Sequence, residues 1–233
     1  MDQFRAKLGY ICDMDGVIYH GNRLLPGVKE FVEWLYRENK RFLFLTNSSC
    51  KTPRELQDKL ARMGLEVDEK HFYTSALATA DFIASQQPGA KAYVIGESSN
   101  YTYDSICKAV HLVQKGARLI GSNSDLTGPT EEGIVPACRA LIAPIEMTTG
   151  QSAYFIGKPN PLMMRTGLRL LGVHSQEAAI IGDRMDTDIV AGIETGLDTL
   201  LVLSGVTTRS EMERFPYRPR LVLNGVREIP PAV

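Results

Sequence analysis

Residues 10–16 read Tyr-Ile-Cys-Asp-Met-Asp-Gly, a short apolar run followed by two closely spaced carboxylates and a glycine. Uninterrupted hydrophobicity over a strand length is typical of a strand covered on both faces, as strands of a parallel sheet are. Further apolar runs lie at residues 42–45, 92–95, 119–120, 154–156, 179–181 and 200–203. Because helical patterns lie between the runs, the repeated strand–helix order predicts right-handed βαβ units and an α/β fold with a doubly wound parallel sheet.

The predicted helices carry recognisable ends. Apolar side chains at positions 28, 31, 32 and 35 share one face of a helix between the first two strands. The stretch Thr52-Pro53-Arg54-Glu55 has the residues of an N-cap, a first-turn proline and a capping box, and Gly64 offers a stop. Asn160-Pro161 predicts another helix start, and Gly196 is placed to end a helix that includes residues 189 and 193.

The composition limits the classes of partner. The chain has 233 residues and a net charge of −1, from 26 basic and 27 acidic residues mixed along its length, so we expect no nucleic-acid or membrane partner. Its four cysteines have neither zinc-site spacing nor the density of a disulfide scaffold. With no signal-peptide pattern at the N-terminus, these features predict a cytoplasmic protein.

Polar residues follow several of the predicted strands. Asp13 ends the first run, Thr46-Asn47 the second, Gly157-Lys158 the run at 154–156, and Gly182-Asp183 the run at 179–181. In open α/β sheets, ligands bind outside the carboxyl ends of the strands. We therefore expect these residues to converge on one crevice, which is the candidate active site.

The carboxylates of Asp13, Asp15 and Asp183 would repel one another there unless a cation shared the site. Oxygen ligands of this kind suit Mg²⁺, which completes its coordination with water and substrate phosphate. Together with Lys158 the metal would form an anion site, and the Thr46 hydroxyl is a further donor for a phosphoryl group. The set predicts phosphoryl transfer, with Asp13 as nucleophile and Asp15 as the acid and base.

Each element alone is a weak indication. A lone Asp-x-Asp-Gly is more often a turn or a surface acid pair, Thr46-Asn47 is also a common turn cap, and Lys158 also fits a solvated lysine. The EF-hand pattern fails at Val17 and Ile18, where it requires Asp or Asn and then Gly. The P-loop pattern also fails, because proline follows Lys158.

Taken in order, the set resembles the haloacid dehalogenase (HAD) superfamily. The matching stretches are Asp13-Met14-Asp15-Gly16-Val17, Thr46-Asn47, Lys158-Pro159 and Gly182-Asp183-Arg184-Met185-Asp186-Thr187-Asp188. Residues 13–27, 43–49, 72–80, 116–123, 133–137 and 182–188 look like the NagD-like, 4-nitrophenylphosphatase-type subfamily. The resemblance implies a Rossmann-like catalytic core with an inserted, smaller α/β cap of the C2 type.

The resemblance also implies roles for the site residues. Asp13 would be the nucleophile and a metal ligand, Asp15 the acid/base and a ligand through its main-chain carbonyl, and Asp183 a metal ligand for Mg²⁺. The phosphoryl group would be held by Thr46, Asn47 and Lys158, with Asp188 supporting the metal or Lys158 from behind. The substrates would be small phosphate monoesters of the nucleotide or sugar phosphate class, and a homodimer through the cap is expected.

The family inserts its cap after the threonine strand, which here predicts a core of residues 1–78 and 149–233 and a cap of residues 79–148. Residues 126–139 are rich in Gly and Pro, and we interpret them as a substrate-selecting loop or, alternatively, an ordinary surface loop. Arg139 stands where the family usually has a small residue, and is either a specificity determinant or a solvated charge. Near residues 97–103 the cap is shorter than the family pattern, through natural truncation or missing residues.

Three other functions share parts of this pattern. A response-regulator receiver also gathers acids, a threonine and a lysine at strand ends, but needs an adjacent acidic pair and a much shorter chain. Dehalogenases keep the fold, lack an acid of the Asp15 type and need no magnesium. A catalytically idle binding protein on the same fold would need no such acid set.

Overall fold

The computed structural model describes residues 1–95, 101–130 and 133–231. The chain separates into two compact units. Unit 1 comprises Met1–Thr46, Pro53–Tyr73 and Lys158–Val233, and unit 2 comprises Asn47–Thr52 and Thr74–Gly157. The predicted cap, residues 79–148, lies within the longer stretch of unit 2, which extends further at both ends.

The described residues form both strands and helices. The strands are β1 (Gly9–Cys12), β2 (Tyr19–His20), β3 (Arg23–Leu24), β4 (Arg41–Thr46), β5 (Phe72–Thr74), β6 (Ile120–Gly121), β7 (Thr127–Thr130), β8 (Gly133–Pro136), β9 (Tyr154–Phe155), β10 (Ala178–Gly182), β11 (Asp198–Val202) and β12 (Leu221–Leu223). The helices are α1 (Asp2–Arg5), α2 (Val28–Arg37), α3 (Pro53–Arg62), α4 (Ser75–Gln86), α5 (Tyr103–Gln114), α6 (Cys138–Thr149), α7 (Pro161–Leu171), α8 (Val190–Thr195) and α9 (Arg209–Met212). A π-helical turn, Met185–Ile189, precedes α8.

The main sheet lies in unit 1 and has the strand order β12-β11-β10-β1-β4-β5. Strand β1 lies between β10 and β4 and pairs with both in parallel, so that Cys12 is opposite Ile181 on one side and Phe44 on the other. Strands β11 and β12 continue the parallel pairing beyond β10. The predicted α/β fold with a parallel sheet is therefore confirmed.

Burial explains why these strands read as unbroken apolar runs. Every residue of β1 and of β10 is buried, because helices cover the sheet. On α2, Phe31 and Leu35 are fully buried, and Trp34 meets the ring of Tyr10 edge-on with 5.5 Å between ring centroids. Burying each such side chain stabilises the fold by roughly 1.5–3 kcal/mol.

The predicted starts of two helices are confirmed. Helix α3 begins at Pro53, and Gly64 follows it with a positive φ of 78°. Helix α7 begins at Pro161, where the side-chain oxygen of Asn160 accepts a hydrogen bond of 3.0 Å from the backbone N–H of Leu162. Local capping chemistry is therefore enough to place both helix starts.

Unit 2 departs from the sequence predictions in three places. The predicted strand at residues 92–95 is wrong, since these residues form no strand. The run at 154–156 forms β9, which pairs with β6 in unit 2 and is not part of the main sheet. Residues 127–136, predicted as part of a loop, are mostly the antiparallel pair β7 and β8.

The paired strands β7 and β8 escaped prediction because their composition is unusual for strands. Gly and Pro occur in both, and Ile134 and Val135 are exposed, so no alternation of buried and exposed side chains marks β8. Backbone pairing, with Thr127 opposite Pro136 and Gly128 opposite Val135, makes them strands. Short strands held by pairing alone leave little trace in local sequence.

Within the described parts of the chain, no helix is both long and apolar enough to cross a membrane.

Candidate active site

The carboxyl end of β1 supplies the first two site residues. Asp13 follows Cys12 directly, and its backbone N–H donates a 2.8 Å hydrogen bond to the carbonyl oxygen of Ile181 on the neighbouring strand. The chain then turns through Gly16, whose φ of 76° favours glycine. A backbone hydrogen bond to the neighbouring strand therefore fixes Asp13 at the carboxyl end of β1.

A buried lysine connects two carboxylates in unit 1. The Nζ atom of Lys158 lies 2.6 Å from Asp13 Oδ1 and 2.7 Å from Asp188 Oδ1, and a longer 3.4 Å contact reaches the carbonyl oxygen of Leu45. The Lys158 side chain is 3% exposed, Asp13 12% and Asp188 0%. A lysine in this position is not a solvated surface charge.

Burial and charge act against each other in this chain of contacts. Burial disfavours the Lys158 ammonium, but the carboxylates of Asp13 and Asp188 outweigh burial and raise the Lys158 pKa above its ordinary value. Burial also raises the pKa of Asp13, although Lys158 opposes that shift. The Asp188 pKa is raised to about 6, again with burial as the largest cause.

A backbone N–H and two glycines constrain the Asp183 carboxylate. Its Oδ2 accepts a 2.7 Å hydrogen bond from the backbone N–H of Val206. Gly16 and Gly205 pack against the same carboxylate so closely that a Cβ on Gly16 would lie 2.5 Å from Oδ2, and one on Gly205 would clash outright. Both glycines are required for space, because any side chain there would displace Asp183.

The other oxygen of Asp183 has the surroundings of a cation ligand. Among the hydrogen-bonding groups of the described residues, none reaches Asp183 Oδ1, although this atom is buried. Burial, followed by the charges of Asp13 and Asp188, raises the pKa of Asp183 to about 8. A buried oxygen without a partner, beside two like charges, is the environment that a bound cation would satisfy.

The donor set fits a divalent metal. Asp13, Asp183 and Asp188 each offer a carboxylate oxygen, and these atoms lie within 4.8 Å of one another. Both oxygens of Asp188 already have partners, Oδ1 with Lys158 and Oδ2 with the backbone N–H of Arg184 at 3.1 Å. Asp13 and Asp183 therefore have the oxygens best placed for the metal, and Asp188 supports Lys158.

Asp15 lies outside this carboxylate cluster. Lys59 is the cation with the largest effect on its charge, and the Tyr19 hydroxyl has the next largest lowering effect on its pKa. Burial is the largest cause of the raised Asp15 pKa, with Lys59 and Tyr19 opposing it. Lys59 itself lies over the Tyr19 ring at 3.5 Å from the centroid, so the three side chains form one group.

The predicted phosphoryl-binding residues divide between the two units. Thr46 is the last residue of β4 and is buried in unit 1 with Lys158, whereas Asn47 belongs to unit 2. In unit 2 the Asn47 side chain donates a 3.1 Å hydrogen bond to Asp125. The predicted pair is thus adjacent in the chain but anchored in different units.

Sequence reasoning missed the loop after β11. Besides the Val206 contact with Asp183, the Ser204 hydroxyl donates to the carbonyl oxygen of Gly16 at 2.6 Å. Thr207 donates its backbone N–H to the carbonyl oxygen of Asp183 at 3.1 Å. The loop follows the apolar run at 200–203, so the strand-end rule that found Asp13 would also have found these residues.

Two other charged residues that the sequence singled out are ion-paired. Asp186 forms a two-pronged ion pair with Arg184 at 2.9 and 3.1 Å and is largely exposed. In unit 2, Arg139 pairs with Glu146 at 3.1 Å and lies over the Phe155 ring at 5.0 Å from the centroid. Arg139 is therefore not a freely solvated charge.

A cleft of about 500 Å³ lies in unit 2 and is lined in part by Phe82, Arg118 and Tyr154. None of the predicted site residues lines it, so its size alone does not mark it as the place of the chemistry. The buried carboxylates and Lys158 are the better indication, because perturbed titratable groups at strand ends are more specific than volume.

Comparison with known proteins identifies the family. The model of the haloacid dehalogenase-like hydrolases matches residues 10–109, and a HAD-hydrolase-like model matches residues 155–229. The dihydroxyacetone phosphatase of Corynebacterium glutamicum is 39% identical, over 96% of this chain and 91% of that protein. The ribonucleotide monophosphatase NagD of Escherichia coli is 38% identical, over 94% of this chain and 96% of NagD.

The solved structure of NagD from E. coli K-12 superposes with a TM-score of 0.91 at 37% identity, covering 97% of this chain and 99% of that chain. The alignment with the C. glutamicum protein is 250 positions long, more than the 233 residues of this chain, so that relative carries segments with no counterpart here. Family membership rules out a receiver domain. The chain belongs to the haloacid dehalogenase-like hydrolases and, within them, to the NagD-like phosphatases.

Proposed function

We propose that this chain hydrolyses small phosphate monoesters by a magnesium-dependent route through an aspartyl-phosphate on Asp13. The observation that carries the proposal is the buried contact of Lys158 with Asp13 and Asp188, beside an Asp183 oxygen without a partner among the described residues. An idle binding protein would need neither a strand-held carboxylate nor a buried counter-charge.

The proposed reaction has two steps. An oxygen of Asp13 attacks phosphorus, the bond to the ester oxygen breaks, and Asp15 donates a proton to that leaving oxygen. Asp15 then removes a proton from water, which attacks the aspartyl-phosphate, releases inorganic phosphate and restores the Asp13 carboxylate. Lys59, which lies over the Tyr19 ring, would supply the positive charge that acts most on the Asp15 carboxylate in both transfers.

Asp13, the main-chain carbonyl of Asp15 and Asp183 would hold Mg²⁺. When bound, the metal would offset the charge of the phosphoryl oxygens and of the clustered carboxylates. Lys158, Thr46 and Asn47 would bind the phosphoryl group, and Asp188 would keep Lys158 charged and oriented.

The names of the relatives support a small substrate of the nucleotide or sugar phosphate class, since one is a dihydroxyacetone phosphatase and another a ribonucleotide monophosphatase. In this proposal unit 2 is the cap, and residues 126–139 select the substrate. A homodimer through the cap and a cytoplasmic location stay predictions.

The test is phosphate release from 4-nitrophenyl phosphate and from a panel of nucleoside and sugar phosphates, with Mg²⁺, with EDTA and with Ca²⁺. Mg²⁺ should be required, EDTA should abolish turnover, and Ca²⁺ should inhibit because its larger, more flexible shell disturbs in-line geometry. Full turnover in excess EDTA would contradict the metal assignment. Failure on every ester would contradict the proposed function.

A further inference from the structure

The segment Asn47–Thr52 is anchored in unit 2, although unit 1 flanks it on both sides along the chain, at Thr46 and at Pro53. Its first residue, Asn47, follows the predicted phosphoryl-binding Thr46 by one peptide bond. The contacts that hold Asn47 in unit 2 therefore bear on where the phosphoryl-binding chain lies.

Polar side chains hold Asn47 from both ends, and one of them, Ser75, donates its hydroxyl to the Asn47 carbonyl oxygen at 2.5 Å. Asn123 Nδ2 donates to the Asn47 carbonyl oxygen at 2.7 Å, and Asn47 Nδ2 donates to Asp125 Oδ2 at 3.1 Å. Asn123 and Asp125 also fix each other, because the backbone N–H of Asp125 donates to Asn123 Oδ1 at 3.1 Å. We call Asn123 and Asp125 the Asn47 clamp.

Asn123 of the clamp and the Asn47 that it holds are buried, and Asp125 is half-buried. Asn123 is 2% exposed and Asn47 8%. A Cβ on Gly157 would lie 2.6 Å from Asn47 Oδ1 and 2.7 Å from the carbonyl oxygen of Ser122, so the chain beside Asn47 must be glycine. Satisfied polar networks in buried surroundings specify one arrangement, because any other leaves a desolvated group without a partner.

We propose that Asn123 and Asp125 are positioning residues for phosphoryl binding: they hold Asn47, and with it the chain after Thr46, in the orientation that receives the phosphoryl group. This inference rests on the proposed function, in which Thr46 and Asn47 bind that group. The phosphoryl group is common to all substrates, so loss of the clamp should weaken the binding of every phosphate ester to the same extent.

The direction in which phosphate affinity changes on replacing Asp125 distinguishes a positioning role from a purely electrostatic one. Replacing Asp125 by alanine removes a carboxylate next to Asn47, which by charge alone would favour a bound anion. Asp125→Asn removes the same charge but keeps an oxygen that accepts from Asn47. If the clamp positions Asn47, Asp125→Ala should bind phosphate more weakly than the wild type does. Asp125→Asn should bind phosphate at least as tightly as the wild type.

The experiment measures binding of inorganic phosphate by calorimetry in the presence of Mg²⁺, together with KM and kcat for 4-nitrophenyl phosphate and one sugar phosphate. For Asp125→Ala we expect the phosphate Kd and both KM values to rise by about tenfold, by one common factor, as for loss of a charge-assisted hydrogen bond. The matched control is Asp104→Ala, at an exposed position of α5, which should leave the phosphate Kd and both KM values unchanged.

Unchanged phosphate binding in folded Asp125→Ala, or a KM change for one ester only, would overturn the clamp. If the melting curve shows that Asp125→Ala does not fold, Asp125→Ser, which has a shorter side chain with an acceptor oxygen, replaces it in the same measurements. Phosphate binding without turnover in the wild type would count against the proposed function alone, and the Kd comparison would still decide the clamp. No phosphate binding by the wild type would overturn both.

Discussion

The two units bury their side chains to very different extents. In unit 1, strands β1 and β10 are buried along their whole length, and Trp34 of α2 packs edge-on against Tyr10 of β1. In unit 2, one apolar cluster of described residues consists of Ala109, Val110, Val113 and Ile145, with partly buried neighbours. Rigid positioning is therefore a property of the sheet ends, where close packing permits a single arrangement.

The ion pairs of Lys158 and of Arg139 differ in the same way. The ion pairs of Lys158 in unit 1 are almost inaccessible to water, whereas Arg139 of unit 2 is 40% exposed and its Glu146 partner 13%. Water screens an exposed pair and leaves a buried one strong and sensitive to loss of a partner. Substitutions of these buried charges in unit 1 should therefore alter the chemistry of every substrate, and those at exposed positions of either unit should have smaller effects.

The largest effect is expected at Asp13. Asp13→Asn keeps the shape and the acceptor oxygen for Lys158 but removes the nucleophile, so turnover of all esters should fall by on the order of 10⁴-fold or more. Steady-state kinetics with matched melting curves measure this. Residual turnover near the wild-type rate would reject Asp13 as the nucleophile.

For Asp15→Asn, the loss of activity should depend on the leaving group of the ester. For alkyl phosphates, Asp15→Asn should slow phosphoenzyme formation by roughly 10²–10⁴-fold, as expected for loss of general acid catalysis. Nitrophenolate leaves without a proton, so 4-nitrophenyl phosphate should give a burst followed by slow turnover. Rapid quench should show nitrophenol close to the enzyme concentration and a hydroxylamine-sensitive phosphoenzyme; equal loss with both ester types would argue against this division of labour.

Removing Lys158 should weaken both phosphate binding and the fold. Lys158→Ala leaves Asp13 and Asp188 without the buried ammonium that joins them, so we expect roughly 100-fold lower kcat/KM and a loss of about 3 kcal/mol in unfolding free energy. Urea denaturation and kinetics measure the two effects. Lys70→Ala, at an exposed lysine of unit 1, is the control and should match the wild type.

Arg139 provides the corresponding test in unit 2. Arg139→Ala removes the pair with Glu146 and the contact with Phe155, and should lower the unfolding free energy by less than about 1 kcal/mol. Turnover of 4-nitrophenyl phosphate should stay within about twofold of the wild type. A changed preference among sugar and nucleoside phosphates would instead assign Arg139 to substrate selection.

The smallest effect concerns pH and His71 of unit 1. The ring stacks on Phe42 with 3.9 Å between centroids, and burial lowers its pKa below the ordinary 6.5. The unfolded chain then binds the proton more readily, so the unfolding free energy should fall as pH drops through 6.5. His71→Phe should flatten this dependence in urea titrations, and His111→Gln on α5 should not; identical slopes would contradict the assignment.

Local patterns predicted much of unit 1. Apolar runs that end on a polar residue located Asp13, Thr46 and Asp183 at strand ends, because a strand buried on both faces has few other signatures. The same reasoning was wrong for residues 92–95, where an apolar run has no strand partner in the described chain. It also missed β7 and β8, which exist through backbone pairing rather than through hydrophobic alternation.

The order of amino acids was enough to predict the fold class, the helix starts at Pro53 and Pro161, and the residue types of the site, since each depends on neighbours close in the chain. The folded chain was needed to show that Lys158 lies between Asp13 and Asp188, that Val206 binds Asp183, and that Asn123 and Asp125 hold Asn47. These hydrogen bonds join residues that are between 23 and 145 positions apart, from Val206–Asp183 up to Lys158–Asp13. Local periodicity carries no information about such pairs, because they form when separate strands and loops pack together.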